Sequence, residues 1–175
     1  MSKDHHRWVP NQPAPLIRAH SLAKHRVIEG YLRRYVETLT RNPRQPRLCL
    51  TLIDGFAGGG AYRDADTLEF RPGSPLIVLD SMKFAAEQAQ QFRVNPFHLD
   101  VEYFFIEKNR GAFEFLTNSI RDSEFAPLVG NQVTLIRGEL SANVDGIINR
   151  IKSRGMGERA IFVLDQCGIN LVDLR

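Results

Sequence analysis

Short apolar segments alternate with amphipathic segments along most of this chain, and that alternation restricts the fold more than any other feature. Strand-like apolar runs occupy residues 48–53, 101–106, 133–136 and 160–164. Apolar residues at helical spacing predict helices over 74–92 and 110–122, and a third helix capped by Ser141. Strands that alternate with helices form parallel sheets with right-handed crossovers. The sequence therefore predicts an α/β fold with a Rossmann-like, doubly wound parallel sheet.

A polar, proline-containing N-terminal arm, residues 1–20, precedes one partial Rossmann-like domain, residues 21–175. An amphipathic helix opens that domain over 22–39, because apolar residues such as Leu32 and Leu39 recur on one face. The arm lacks the apolar core of a secretory signal. No apolar run approaches the roughly 20 residues of a membrane span. We therefore expect a cytoplasmic protein that does not contact membranes.

The balance of charge is mildly basic, with a formal net charge of +3 and an isoelectric point near 9.1. This excess permits contact with nucleic acid without requiring it. Cys49 and Cys167 lie in separate segments without the spacing of a zinc site. The histidines are scattered too, and for His25, at the start of the first helix, we expect a surface role. No metal site is predicted.

A glycine-rich turn directly follows the first predicted strand. It comprises Asp54, Gly55, Phe56, Ala57, Gly58, Gly59 and Gly60. Glycines let the backbone approach a ligand closely and tolerate positive φ, and ligands of open parallel sheets bind beyond the carboxyl ends of the strands. We therefore favour a ligand-binding turn over a purely structural one. It is not a Walker-type phosphate loop, because no Gly-Lys-Ser/Thr follows.

Glu107 ends the second predicted strand. A carboxylate at this place can accept hydrogen bonds from both hydroxyls of a ribose, and we favour that role over a solvated acid. Glu107 follows Gly60 by 47 residues, whereas a dinucleotide fingerprint places its acid about 20 residues on. This spacing argues against a nicotinamide enzyme.

Five segments occur in the order seen in three-Cys-motif partner proteins. They are AKHRVIEGYLRRYV, LIDGFAGGGAY, GSPL, FFIEKN and FVLDQCG. Over residues 22–168 the chain resembles the first half to two-thirds of such a protein, and the family is similar to class I methyltransferases that use S-adenosylmethionine. The resemblance implies that Asp54, Gly58 and Gly60 line this cofactor and that Glu107 holds its ribose. Lys108, the next residue, is assigned to the same site.

The resemblance has further implications for partners and for the extent of the fold. It implies a companion protein that bears a three-cysteine motif. A methyltransferase-type sheet has strand order 3-2-1-4-5-7-6, whereas this sequence ends at Arg175, shortly after the fourth predicted strand. We therefore expect the N-terminal part of that fold, with order 3-2-1-4, truncated from a longer parent. Otherwise the apolar fourth strand would be a bare edge, which a second copy or another chain would cover.

Asp165 ends the fourth predicted strand, and Gln166, Cys167 and Gly168 follow it. Asp165 either holds or deprotonates a methyl acceptor, or it caps the segment that follows, and the sequence leaves both roles open. The family has Asp-Pro-aromatic-Gly here, so Gln166 and Cys167 remove the ring that would stack on a planar substrate. Cys167 is disfavoured as a nucleophile, because no activating base lies near it in the sequence.

The sequence thus predicts a methyltransferase-like protein that binds S-adenosylmethionine and transfers a methyl group to a nitrogen of nucleic acid or protein. Asp165 is the weak candidate for the catalytic base. One alternative is a non-catalytic partner protein that keeps the fold and acts by binding its companion. Another is a different nucleotide-using enzyme, which the absent phosphate loop and the displaced acid disfavour.

Overall fold

Seven strands and four α-helices form in the computed structural model, which describes residues 7–9, 12–91 and 93–165. In chain order they are β1 (Leu16–Ile17), α1 (Ala19–Leu39), β2 (Arg47–Asp54), β3 (Ala61–Asp64), β4 (Phe70–Pro72), α2 (Ser74–Gln91), β5 (His98–Glu107), α3 (Arg110–Arg121), β6 (Val133–Arg137), α4 (Leu140–Ser153) and β7 (Glu158–Val163). A short 3-10 helix, Ala126–Leu128, lies between α3 and β6. The four longest strands are those predicted from the apolar runs.

The main sheet contains four parallel strands in the order β6-β5-β2-β7. The register pairs Asp54, the last residue of β2, with Phe105 of β5 and with Val163 of β7. Because parallel strands end at the same edge of a sheet, the residues that close β2, β5 and β7 lie along one edge. The predicted α/β class with a parallel sheet is confirmed.

Alternating residues of the central strands pack into apolar clusters on opposite faces of the sheet. Leu50 and Phe105 belong to the larger cluster, together with residues of α1, α2 and α3. Ile53 and Phe104 belong to a smaller cluster with Ile147 of α4. Both faces are therefore covered by helices, which explains why β2 is buried almost without interruption.

The predicted cap of α4 is wrong. Ser141 lies inside the first turn of the helix, which begins at Leu140 after Glu139, and the side chain of Glu139 makes no capping hydrogen bond. Leu140 packs against the smaller apolar cluster. The helix therefore starts two residues upstream of the position that a serine cap would give, with Leu140 inside it. α1 also begins earlier than predicted, at Ala19.

A second, three-stranded sheet is formed by β3 and β4, which lie between Gly60 and Gly73, and by β1. β3 and β4 pair antiparallel, and β1 from the N-terminal arm pairs parallel with β3. The Asp64 carboxylate closes the turn between β3 and β4 by accepting hydrogen bonds from the N–H groups of Asp66 and Thr67. Ile17 of β1 is almost completely buried. This part of the arm therefore packs against the domain.

None of the helices in the described ranges is both long enough and apolar enough to cross a membrane.

Candidate functional site at the carboxyl ends of the main sheet

The carboxyl edge of the main sheet brings together three acidic residues that the sequence analysis singled out. Asp54 closes β2, Glu107 closes β5, and Asp165 follows the end of β7 by two residues. The register pairs the last residue of β2 with Phe105 of β5 and Val163 of β7, so these strand ends are neighbours. The structure thus brings the three residues to one edge of the sheet.

The glycine-rich turn is attached by backbone hydrogen bonds to both neighbours of β2. Gly55 N–H donates to Val163 O at 3.1 Å, and Ala57 N–H donates to Ile106 O at 3.0 Å. Gly58 and Gly60 have φ of +60° and +75°, values that L side chains rarely adopt. The turn thus lies across the ends of β5 and β7, in a conformation that requires glycine at two positions.

The Glu107 carboxylate joins this turn to the start of α3. Oε2 accepts a hydrogen bond from Gly58 N–H at 3.0 Å, and Oε1 accepts one from Asn109 N–H at 2.6 Å. The Asn109 side chain in turn caps α3 by accepting from Ala112 N–H at 3.0 Å. The carboxylate of Glu107 is therefore oriented on both sides by backbone groups. Glu107 nevertheless stays half-buried at the carboxyl edge of the sheet.

Asp54 is the most buried of the three acids, with 2% of its surface exposed. Oδ1 accepts a hydrogen bond from Phe56 N–H at 3.1 Å, while Oδ2 is buried without a hydrogen bond of good geometry from any described residue. Burial raises the pKa of Asp54 to about 6, although hydrogen bonding by Ser74 and by the Phe56 N–H acts in the opposite direction. Burying a charged carboxylate lowers the stability of the fold unless another group pairs with it or donates hydrogen bonds to it.

Asp165 forms an ion pair across the end of the sheet with the first helix. Lys24 Nζ lies 2.5 Å from Asp165 Oδ1, although the two residues are 141 positions apart. Gln166, Cys167 and Gly168 lie outside the described residues. The structure leaves both roles of Asp165 open. It adds that the carboxylate already has a cationic partner, Lys24.

The expected surface role of His25 is wrong, because this residue is 8% exposed. Its ring faces Tyr62, with 5.9 Å between the ring centroids. Burial lowers the pKa of His25, while the negative charge of Asp165 acts to raise it. The first helix therefore contributes two residues, Lys24 and His25, near the carboxyl edge of the sheet. His25 lies seven residues before Leu32 and so falls on the buried face of α1, which helical periodicity could have indicated.

Trp8 is the residue of this region that sequence reasoning missed. Its indole lies against the glycine turn, and Nε1 donates a hydrogen bond to Ala61 O at 2.9 Å. The edge of the ring packs on Tyr62, with centroids 5.1 Å apart. Trp8 is the sole tryptophan of the sequence and lies in a polar arm. That isolation was the available signal, since an aromatic residue in a polar segment commonly has a packing or binding partner.

The remaining predicted cofactor residues differ in how they can contact a ligand. The side chain of Ala57 is buried in the larger apolar cluster, so Ala57 can contact a ligand only through its backbone. Phe56 is half-buried. Lys108 is exposed, and its amine lies 3.8 Å from Glu139 Oε1, beyond the end of β6. Lys108 is therefore beside Glu107 in sequence while its amine is near a different strand end.

Acids at the opposite edge of the sheet show what a structural carboxylate looks like in this molecule. Asp100, Glu102 and Glu158 all form ion pairs with Arg154, whose side chain is largely buried. The pKa values of Asp100 and Glu102 are accordingly lowered by arginine partners. Asp54 and Glu107, by contrast, form no ion pair with any residue in the described ranges. This contrast favours a binding role over a structural role at the carboxyl edge.

A cavity of about 1250 Å³ lies between α2, α3 and the β3–β4 hairpin, next to the end of the glycine turn, because Ala61 and Ser119 are among its lining residues. Its charged lining residues are all acidic, namely Glu29, Asp80, Glu114, Asp122 and Glu124. Four of these five form ion pairs, which are Glu29 and Asp80 with Arg33, Glu114 with Arg110, and Glu124 with Lys83. Most of the acidic charge of the cavity is therefore compensated.

No protein-family model matches the chain, and no curated protein shows significant similarity to it. The resemblance to three-Cys-motif partner proteins thus stays a prediction that rests on the sequence segments themselves. The function has to be inferred from the geometry of the carboxyl edge.

Proposed function

We propose that this chain binds S-adenosylmethionine at the carboxyl ends of β2 and β5, as part of a methyltransferase-like protein. The observation that carries the proposal is the contact between Glu107 and the glycine turn, in which Glu107 Oε2 accepts the Gly58 N–H. In Rossmann-like sheets a glycine-rich turn approaches the ligand closely and an acid at a neighbouring strand end holds the ribose. The strand order β6-β5-β2-β7 is consistent with the first four strands of a methyltransferase-type sheet.

The carboxyl edge fits this cofactor in its hydrogen-bonding capacity. A carboxylate has about four lone-pair sites, and Glu107 uses two of them for backbone N–H groups. The others can accept the two hydroxyls of a ribose. Asp54 Oδ2 is a buried acceptor without a well-formed hydrogen bond among the described residues. It offers an acceptor for a donor group of the ligand.

The charge of the edge fits as well. S-adenosylmethionine carries a sulfonium, an amino group and a carboxylate, so its net charge is positive, and negative potential from Asp54 and Glu107, which form no ion pair with a described residue, favours a cationic ligand. The cofactor would supply an activated methyl group. The residues of this chain would bind it, orient it and exclude water around it.

Asp165 is the proposed contact for the methyl acceptor, which we infer to be a nitrogen of nucleic acid or protein. Its ion pair with Lys24 directs the carboxylate across the end of the sheet. Because the carboxylate is already held by this partner, we assign Asp165 to orienting the acceptor rather than to deprotonating it. Radiolabelled S-adenosylmethionine incubated with RNA and with protein fractions would identify the acceptor class by the fraction that becomes labelled.

A non-catalytic role as a partner protein is the second candidate, and the β7 edge favours it. Within the described ranges β7 pairs with β2 alone, and Phe162 and Leu164 near its end are 38% and 43% exposed. Unpaired apolar edges invite another strand, either from the implied companion protein or from a second copy of this chain. Cofactor binding without methyl transfer to any acceptor pool would favour this role.

Replacing Glu107 by alanine is expected to weaken binding of S-adenosylhomocysteine by at least about tenfold, or roughly 1.4 kcal/mol. The reason is that the variant loses the ribose acceptor and the contact that orients Gly58. Isothermal titration calorimetry of the purified chain measures the change. NAD and ATP titrated in parallel test the rival nucleotide classes.

The matched control for that experiment is Glu87→Ala, which removes an exposed acid from α2, away from the strand ends. It should bind with the affinity of the wild type. Equal affinities of wild type and Glu107→Ala would contradict the ribose role of Glu107. Absence of binding by a chain that circular dichroism shows to be folded would contradict cofactor binding itself.

A further inference from the structure

The indole of Trp8 covers the middle of the glycine turn. A Cβ atom placed on Gly58 would lie 2.9 Å from this ring, and one placed on Gly59 would lie 2.2 Å from it. Both distances are shorter than real Cβ contacts, so the ring is against the backbone of the turn. The two glycines thus permit a close approach, and in this structure Trp8 is the group that makes it.

Two contacts hold the indole in this place. Nε1 donates a hydrogen bond, at 2.9 Å, to the carbonyl oxygen of Ala61, the residue that directly follows the turn. The ring edge packs on Tyr62. Each contact is modest, because a single hydrogen bond and a single aromatic pair each contribute little net stability. Trp8 also belongs to the N-terminal arm, whose nearest strand, β1, has only two residues. The indole is therefore held specifically but can be displaced by a ligand of ordinary affinity.

We propose that the Trp8 indole occupies the ligand-facing side of the glycine turn and has to leave it before the cofactor can bind. This inference rests on the proposed function. Gly58 and Gly59 lack Cβ atoms and both face the indole, so this side of the turn cannot hold an indole and a ligand at the same time. Trp8 thus reduces the apparent affinity by the fraction of molecules in which the turn is covered.

The contact itself can be tested in the absence of any ligand, because Trp8 is the only tryptophan and its fluorescence reports on no other residue. Gly59→Ala places a methyl group where the indole lies, and Gly59 does not have the positive φ that would strain alanine. In this variant the fluorescence emission of Trp8 should move to longer wavelength and should be quenched more readily by acrylamide.

The control is Gly146→Ala in α4, where no heavy atom lies within 4 Å of the added Cβ. This variant should keep the emission of the wild type. If Gly59→Ala also keeps it, Trp8 does not lie on the turn, and the inference is wrong whatever the cofactor.

The consequence for binding is tested by calorimetric titration of Trp8→Ala with S-adenosylhomocysteine. We expect Trp8→Ala to bind about fivefold more tightly than the wild type, or better, because the covered state is removed. Tyr31→Ala, which removes an exposed ring from α1, should leave the affinity unchanged. Binding of the wild type should also shift the Trp8 emission to longer wavelength.

Two failures can be told apart. If the wild type binds and Trp8→Ala binds with equal or lower affinity, the indole does not exclude the ligand. The inference is then overturned, while the proposed function stands. If neither protein binds although both are folded, the proposed function is overturned and the inference falls with it.

Discussion

Replacing Phe105 by alanine is expected to lower the free energy of unfolding by about 3–5 kcal/mol. Phe105 is completely buried near the carboxyl end of β5, and its ring stacks on Tyr103 with 6.1 Å between centroids. Its removal leaves a cavity between the sheet and the helices on the side of the larger apolar cluster. Urea denaturation followed by circular dichroism measures the loss.

The same substitution at an exposed phenylalanine provides the comparison. Phe70 in β4 is 61% exposed, so Phe70→Ala should cost less than about 1 kcal/mol. Similar losses for the two variants would contradict the central position of β5. That position matters for function, because β5 carries Glu107 to the carboxyl edge.

Replacing Asp54 by asparagine is expected to change how stability depends on pH. The pKa of Asp54 is raised to about 6 in the folded protein by burial, and it is near 3.9 in an unfolded chain. Well below a pH of about 3.9 the acid is neutral in both states and causes no penalty. Between about pH 4 and pH 6 the unfolded chain releases the proton while the folded protein keeps it, so wild-type stability falls, and above about pH 6 it stays at this lower level.

The sign of the expected result follows from this linkage. The free energy of unfolding of Asp54→Asn minus that of the wild type should increase between pH 4 and pH 7.5 by about 3 kcal/mol at most, since one pKa unit corresponds to about 1.4 kcal/mol. Urea titrations at several pH values measure the difference. A difference that does not vary with pH would contradict the burial of Asp54 as a titrating acid.

Asp64→Asn is a control with the opposite sign. Hydrogen bonds from the N–H groups of Asp66 and Thr67, and then from Arg71, lower the pKa of Asp64. Its charged form therefore contributes stability that is present above the unfolded pKa and lost as pH falls. The same difference should consequently decrease as pH rises. Opposite trends for Asp54 and Asp64 would show that environment, rather than residue type, decides which acid is costly.

Much of the fold could be predicted because its signals are local and repeated. The strands of the main sheet are continuous apolar runs, as expected where both faces are covered, and α3 has a clear apolar face. The small sheet could not be found in this way. β1, β3 and β4 have two to four residues each and are partly polar, so they depend on pairing between segments that are distant in the sequence.

The candidate site divides in the same way. Asp54 and Glu107 were found because each directly follows an apolar strand, and strand ends of a parallel sheet converge. Trp8 and Lys24 were not assigned, because their partners are far away in sequence. Trp8 reaches Ala61 across 53 positions, and Lys24 reaches Asp165 across 141. No periodic pattern reports contacts of that range.

The most direct test of the central claim is to locate the ligand by nuclear magnetic resonance. The backbone amides of Gly58 and Asn109 donate to Glu107, so their signals report on its carboxylate. If S-adenosylhomocysteine binds at the carboxyl ends of β2 and β5, these two amide signals should be among those that shift most on saturation. Saturable binding that leaves both signals unmoved, with the largest shifts around the cavity between α2 and α3, would contradict the account.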